Sequence, residues 1–126
     1  MTLHESAEMY LETILTLSQN STPVRSIDVA EALGYSRPSV SRAVGLLKKD
    51  GYLAVANDGF LTLTEKGSEV AKKVYERHTI LTAALMALGV DKEAVTEDAC
   101  RIEHIISDKS LDAIKALMDK NKNGTE

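Results

Sequence analysis

Three residue types that bind transition metals stand close together late in this 126-residue chain: Cys100, Glu103 and His104. On a helix, residues three and four apart are neighbours, so a thiol, a carboxylate and an imidazole there would share one face. Such a set mixes soft, borderline and hard donors and suits a divalent transition ion better than calcium or magnesium. Met9 and Glu12 repeat the three-residue spacing near the start of the chain, with a thioether and a carboxylate. The expectation is that two helices bring these donors to one metal ion. Each residue also has a plainer reading: Met9 fills a core gap, Glu12 is a solvated charge, and Cys100 is an inert thiol beside a charged face.

The elements that must carry these donors read as mainly α. Thr2 to Glu5 has the form of a capping box, and Leu3, Ala7, Tyr10, Ile14 and Leu17 make a helical apolar stripe that ends before the polar turn from Gln19 to Pro23. Ser26 to Gly34 reads as a short helix, with Ile27, Ala30 and Leu33 inward and Gly34 as its left-handed stop. Ser36 then caps a second helix that has Pro38 in its first turn and Val40, Val44 and Leu47 on its buried face. Two helices joined at so tight a corner form a helix-turn-helix. The apolar runs Tyr52 to Val55 and Phe60 to Leu63 flank Asn57-Asp58-Gly59, a hairpin signal that adds a wing. Thr64 caps a long helix, ended by Gly89, whose stripe is Val70, Val74, His78, Leu81, Leu85 and Leu88. His78 alone in that apolar line reads as a hydrogen-bonded core histidine. Asp91 caps the next helix, with core residues Val95, Ala99, Ile102 and Ile106, and Arg101 is placed to steady a neighbouring carboxylate. Ser107-Asp108 starts a last helix with Leu111, Ile114, Leu117 and Met118 apolar, and the polar tail from Asn121 onward is expected to fray.

The fold class expected is therefore an N-terminal winged helix-turn-helix, three helices plus a β-hairpin wing, over residues 1–64. An all-helical metal-binding and dimerisation domain follows over residues 65–126. The apolar faces of the last helices exceed what one small domain buries, so a homodimer is expected. The outward face of the second winged-helix helix carries Arg37, Pro38, Ser39, Ser41, Arg42 and Lys48, with Arg25 and Ser36 at helix starts nearby. Arginine, serine and lysine there suit double-stranded DNA, through bidentate contacts to guanine and charge on phosphate. The plainer reading of that face is a solvated surface on a protein-binding module.

Composition narrows the classes further. The net charge is −4, with 5 basic against 7 acidic residues up to Thr64 and 10 against 12 beyond, so any basic patch is local. No apolar run approaches the roughly 20 residues that span a bilayer, and the first residues do not form a secretory leader. A single cysteine makes no internal disulfide and fits a reducing, cytoplasmic location. Asn123-Gly124-Thr125 matches a glycosylation acceptor by chance in that setting.

The order of Glu8-Met9-Tyr10-Leu11, a winged helix with Ser39 to Leu47 inside Val29 to Tyr52, and Asp98 to His104 resembles the diphtheria-toxin-repressor family of iron- and manganese-dependent bacterial repressors. The likeness runs from about residue 5 to residue 118. It implies that Met9, Cys100, Glu103 and His104 match the activating metal site of the iron-responsive branch. Glu12 and His78 match ligand positions of the short manganese-responsive branch. Thr82 and Thr96 stand where the iron branch has further ligands of a second site, which makes one composite site, or two adjoining ions sharing Glu12 and His78, the expectation. The sequence also ends before the place of that branch's SH3-like domain. Met9 and Cys100 are soft donors, so Fe(II) is favoured with Mn(II) as the alternative. Since Cys100 must lose its proton and both histidines be neutral, binding should weaken as pH falls. Oxidation of the thiol should damage the site.

The function implied is repression of metal-uptake genes by a metal-fixed dimer on a palindromic operator, with no enzymatic activity, no membrane and no small-molecule substrate. A winged-helix regulator without metal input would instead ignore chelators. An enzyme would use Cys100 with His104 as a thiolate–imidazole pair, but no oxyanion-stabilising turn is evident. A protein-only adaptor would bind no DNA at any salt concentration.

Overall fold

The computed structural model describes residues 5–19 and 23–124. Thr2 and Leu3, on which the first capping box and the start of its stripe depend, lie outside the described residues, as do 20–22 of the polar turn. The chain divides into two compact units, Met1–Lys73 and Val74–Glu126.

In the first unit, α1 (Glu5–Ser18), α2 (Ser26–Leu33) and α3 (Arg37–Lys49) precede the strands β1 (Leu53–Val55) and β2 (Leu61–Leu63). Gly34 leaves α2 with φ of 71°, a left-handed turn that a Cβ would strain. Two residues later Ser36 starts α3, its hydroxyl accepting from the Ser39 N–H at 3.3 Å. Val40, Val44 and Leu47 are buried as their spacing requires. The strands pair antiparallel with Leu53 opposite Leu63, Ala54 opposite Thr62 and Val55 opposite Leu61. Val24 adds a bridge to this wing, its carbonyl accepting from the Leu61 N–H at 2.7 Å.

The core joins α1, α2, α3 and the wing, and it corrects the expected stripes in two places. Leu11 is fully buried although it stood outside the α1 stripe, and on α2 Val29 points inward while Ile27 is 37% exposed. An apolar face wider than one line explains the first. Val29 lies in the core cluster with residues of α1 and α3, and Ile27 does not.

The helix α4 (Glu65–Ala87) begins in the first unit and ends in the second. Its start is fixed by Thr64, whose hydroxyl accepts from the Gly67 N–H at 3.1 Å and donates to the Gly51 carbonyl at 2.6 Å. Gly67 lies so close to the turn before β1 that a Cβ there would stand 2.0 Å from the Tyr52 carbonyl oxygen.

The second unit adds α5 (Lys92–Ile102) and α6 (Asp108–Gly124). Asp91 occupies the N-cap of α5 without a side-chain cap bond, whereas Ser107 caps α6 by accepting from the Ser110 N–H at 3.1 Å. Of the polar tail from Asn121 onward, α6 takes in the part up to Gly124, and Thr125 and Glu126 lie outside the described residues. Leu81, Ala99 and Leu111 form the small buried core, flanked by Ile80, Leu85, Ile102, Ile106 and Ile114. Leu88, expected inside, is 78% exposed because α4 ends at Ala87 and the chain turns away at Gly89. Met86, Ile105 and Leu117 are also exposed, and Leu88 and Leu117 line a groove of about 340 Å³ with Leu81, Leu85, Ile102 and Ile106. No helix among the described residues is long and apolar enough to cross a membrane.

Candidate metal centre and nucleic-acid interface

Glu103 is the one polar or charged residue in the buried set of the described residues, at 1% exposure. A carboxylate out of water needs charged or hydrogen-bonding partners to offset its desolvation. His78 supplies a hydrogen bond, its Nδ1 lying 2.7 Å from Glu103 Oε1, and His104 Nε2 lies 3.4 Å from Oε2. With the carboxylate ionised, it only accepts, and Nδ1 of His78 then carries the proton of that bond. Cys100 joins the pair, and one ligand atom from each of His78, Cys100 and Glu103 falls within 4.8 Å of the others. Sulfur, nitrogen and oxygen donors on two helices thus converge within the second unit, a set whose chemistry fits a divalent transition ion.

The backbone that carries these donors differs from the expected continuous helix. Only Cys100 lies within α5, which ends at Ile102; Glu103 is its C-cap and a turn follows through Ile105. The turn keeps helical bonds at its start, with the Glu103 N–H donating to the Ala99 carbonyl at 3.0 Å, so the three-residue geometry from Cys100 to Glu103 survives. The chain must reverse here to begin α6, and the helix end leaves carbonyls without internal partners. Arg77 supplies one: its guanidinium donates to the Glu103 carbonyl at 3.1 Å and to Asp108 Oδ1 at 2.5 Å. Adjacent residues of α4 therefore hold both ends of Glu103, Arg77 its main chain and His78 its carboxylate. Arg101 pairs with Glu97 at 3.2 Å, one turn back on α5, as a solvated ion pair.

In the first unit, Met9 and Glu12 stand one turn apart on α1, and both are partly buried. Each has its carbonyl bonded by a threonine four residues on, Thr13 at 2.8 Å and Thr16 at 2.9 Å. The Met9 sulfur accepts from the Tyr35 hydroxyl at 3.5 Å. Tyr10 beside it meets Tyr35 edge to face, and burial, then the neighbouring Tyr35, raises the Tyr10 hydroxyl above its ordinary 10.0. Thr82, one turn beyond His78, has a buried hydroxyl with no hydrogen-bond partner among the described residues, and Thr96 donates to the Lys92 carbonyl of its own helix.

The candidate DNA face is open. Arg25, Ser36, Arg37, Pro38, Ser39, Ser41, Arg42 and Lys48 are all exposed. Two of them also have local work. The Arg25 N–H donates to Asp28 Oδ2 at 2.9 Å at the start of α2, while its guanidinium lies 4.4 Å from the Phe60 ring centroid in the wing. Ser36 caps α3 and its hydroxyl bonds that of Ser39 at 2.8 Å. Arg37, Ser41, Arg42 and Lys48 are left exposed on α3, which puts three positive charges on one helix of a chain of net charge −4.

Sequence reasoning assigned no role to Tyr35 or Arg77. No local signal marks either, since each finds its partner 26 residues away.

Two family models cover nearly the whole chain. Residues 2–61 match "Iron dependent repressor, N-terminal DNA binding domain", and residues 64–124 match "Iron dependent repressor, metal binding and dimerisation domain". The chain is 40% identical over 113 residues to the HTH-type transcriptional regulator MntR of Lysinibacillus sphaericus, covering 90% of this chain and 81% of that protein. It is 41% identical over 108 residues to the iron-dependent repressor IdeR of Mycobacterium tuberculosis, covering 84% of this chain and 46% of that one. Among solved structures, the manganese regulator SloR superposes with a TM-score of 0.80 at 27% identity, over 94% of this chain and 55% of its own. The chain thus spans about half the length of the last two.

Proposed function

This chain belongs to the diphtheria-toxin-repressor family of metal-dependent transcriptional repressors, and from that premise we propose which residues hold the metal and which read DNA. The ligand set is Met9, Glu12, His78, Cys100, Glu103 and His104. The observation that carries this reading is the buried Glu103 carboxylate, hydrogen-bonded to His78 and grouped with the Cys100 sulfur. When bound, a divalent ion supplies the positive charge that lets carboxylates, imidazoles and sulfur donors converge without mutual repulsion. Without it, His78 offers its Nδ1 proton to Glu103 and so keeps the carboxylate solvated by protein.

Fe(II) is favoured and Mn(II) is the alternative, because Met9 and Cys100 are softer donors than manganese prefers. Cys100 contributes as thiolate and the histidines as neutral rings, so each gives up a proton before it can donate electrons.

The functional division falls at Thr64. Residues 1–64 hold the winged helix together with Met9 and Glu12; residues 65–126 hold the other four donors and the dimer surface. Tyr10, Leu11 and Ile14 are buried in the core that also contains Val40 and Val44 of α3, so α1 moves with the recognition helix. Ligation by residues of both parts then selects one placement of the recognition helices, a population shift with reciprocal coupling between metal and DNA. A two-fold dimer must set its recognition helices one helical turn apart, about 34–36 Å or a multiple, on a pseudo-palindromic operator. Arg42, Arg37 and Ser41 reach the operator bases and backbone, and Arg25, Ser36, Pro38, Ser39 and Lys48 border them. The apolar groove beside Leu88 and Leu117 is the surface that the second copy covers. The protein acts in the cytoplasm, where it represses metal-uptake genes when metal is plentiful.

The test is a titration of operator binding with Fe(II) or Mn(II) against a chelator, for wild type and Glu103→Ala. Metal should raise wild-type affinity about 5- to 150-fold and leave the variant near its chelated level. Equal binding by both proteins in every condition would refute the reading.

A further inference from the structure

We propose that Tyr35 is a positioning residue for the Met9 thioether, an inference that rests on reading Met9 as a ligand. A methionine side chain has three rotatable bonds, and nothing in its chemistry fixes where the sulfur points. Here the sulfur is held, because the Tyr35 hydroxyl donates to Sδ at 3.5 Å from a different helix junction. A thioether sulfur has two lone pairs. The phenol proton takes one and leaves the other for an ion, so the contact and ligation are compatible.

Tyr35 is itself held. It stands between the left-handed Gly34 and the Ser36 cap of α3, and its ring meets that of Tyr10 at 6.0 Å with the planes 69° apart. The ring is 44% exposed, so core packing does not account for a tyrosine here. Its hydroxyl finds the sulfur of a residue already singled out by donor chemistry. A ring in an αα corner that bonds a candidate ligand reduces the freedom that Met9 would otherwise lose on binding metal, and preorganisation of that kind raises affinity. The same contact joins Met9 to the residue preceding the recognition-helix cap, so fixing the sulfur also steadies that corner.

The probe is Co(II) added to the purified full chain, with affinity read by competition against a chelating dye and ligation read from the visible absorption bands. The proteins are wild type, Tyr35→Phe, Met9→Leu and the double variant. Phenylalanine keeps the ring against Tyr10 and removes only the hydroxyl. Tyr35→Phe should weaken Co(II) binding about three- to tenfold, in line with one hydrogen bond, and shift the visible bands. It should have no further effect once Met9 is leucine. If Met9→Leu weakens binding and Tyr35→Phe does not, the positioning role is overturned while the ligand reading stands. If Tyr35→Phe weakens binding equally in the Met9→Leu background, Tyr35 acts on the fold and not on the sulfur, which also overturns the role. If Met9→Leu leaves affinity and spectrum unchanged, the ligand assignment of Met9 falls and the positioning role with it.

Discussion

Replacing Glu103 by glutamine isolates the charge of the buried carboxylate from its shape. The side chain is 1% exposed, so its charge sits largely out of water and its loss is little offset by solvent. Without metal, the amide oxygen still accepts from His78 Nδ1, now at 2.7 Å from Oε1, and stability should stay within about 1 kcal/mol of wild type. With metal, the outcome separates. Loss of a partner in the outer shell of a metal site weakens binding by about 10–100-fold, and a direct anionic ligand lies at the upper end of that range or beyond.

At free metal of about 100 times the wild-type dissociation constant, ligation stabilises wild type by about 2.7 kcal/mol. A hundredfold weaker variant gains about 0.4 kcal/mol from the same relation. For a chain of this length roughly 4 °C accompanies each kcal/mol, so metal should raise the melting temperature by about 11 °C in wild type and about 2 °C in Glu103→Gln. Thermal denaturation followed by circular dichroism under anaerobic conditions, with metal or with chelator, reads the difference directly. Equal metal-induced shifts in the two proteins would refute the assignment of Glu103 as a ligand. A collapse of the metal-free melting temperature would instead show that its charge is needed for the fold.

Other expectations follow from the surrounding residues. Arg42→Ala should lower operator affinity by about 1–3 kcal/mol if it reads a base edge, or flatten the salt dependence by about one ion if it meets phosphate. Its metal affinity without DNA should be unchanged, as isothermal titration would show. Arg77→Met removes the donor to the Glu103 carbonyl and should destabilise the chain by about 1.5–3 kcal/mol in urea unfolding, with metal affinity falling alongside. Because the folded chain holds the Tyr10 hydroxyl above 10.0, the neutral form is favoured in the folded state. Its contribution is therefore fully present below pH 10 and is lost as pH rises through the folded value. Tyr10→Phe should remove that part of the alkaline loss of stability in unfolding curves collected between pH 8 and about 11.5.

The parts of the fold that could be read in advance are those set by neighbours in sequence. Gly34 and Ser36 stop one helix and start the next within three residues. Val40, Val44 and Leu47 follow a single helical line, and Thr64 caps α4 through the N–H of Gly67. These are local choices of backbone angle, cap and period, which the residue types determine. What escaped reading depends on distant partners. Ile27 and Val29 are both apolar residues of one short helix, and packing against other helices puts only Val29 in the core. Leu88 continues an apolar stripe that α4 leaves before reaching it. Val24 becomes part of the wing only because Leu61 lies opposite. At the metal centre, the chemistry of Cys100, Glu103 and His104 was visible, but the break in their expected common helix was not: α5 ends at Ile102 before the chain turns into α6, and Arg77 secures the turn from across the unit. The donors could be named from their types, whereas the residues that aim them could not.

The contact between Gly67 and the Tyr52 carbonyl closes position 67 to evolutionary drift. Any side chain would bring its first carbon to 2.0 Å from a backbone oxygen, and that oxygen is itself held by the Thr64 N–H at 3.1 Å. Neither partner can step aside, so a lineage that tries alanine there loses the joint between wing and long helix before it loses a single metal donor. Donors are replaceable in a way this glycine is not, because another ligand type can take up a different ion. Among homologous chains, glycine in this column should thus outlast changes of metal preference and mark those that keep the same joint.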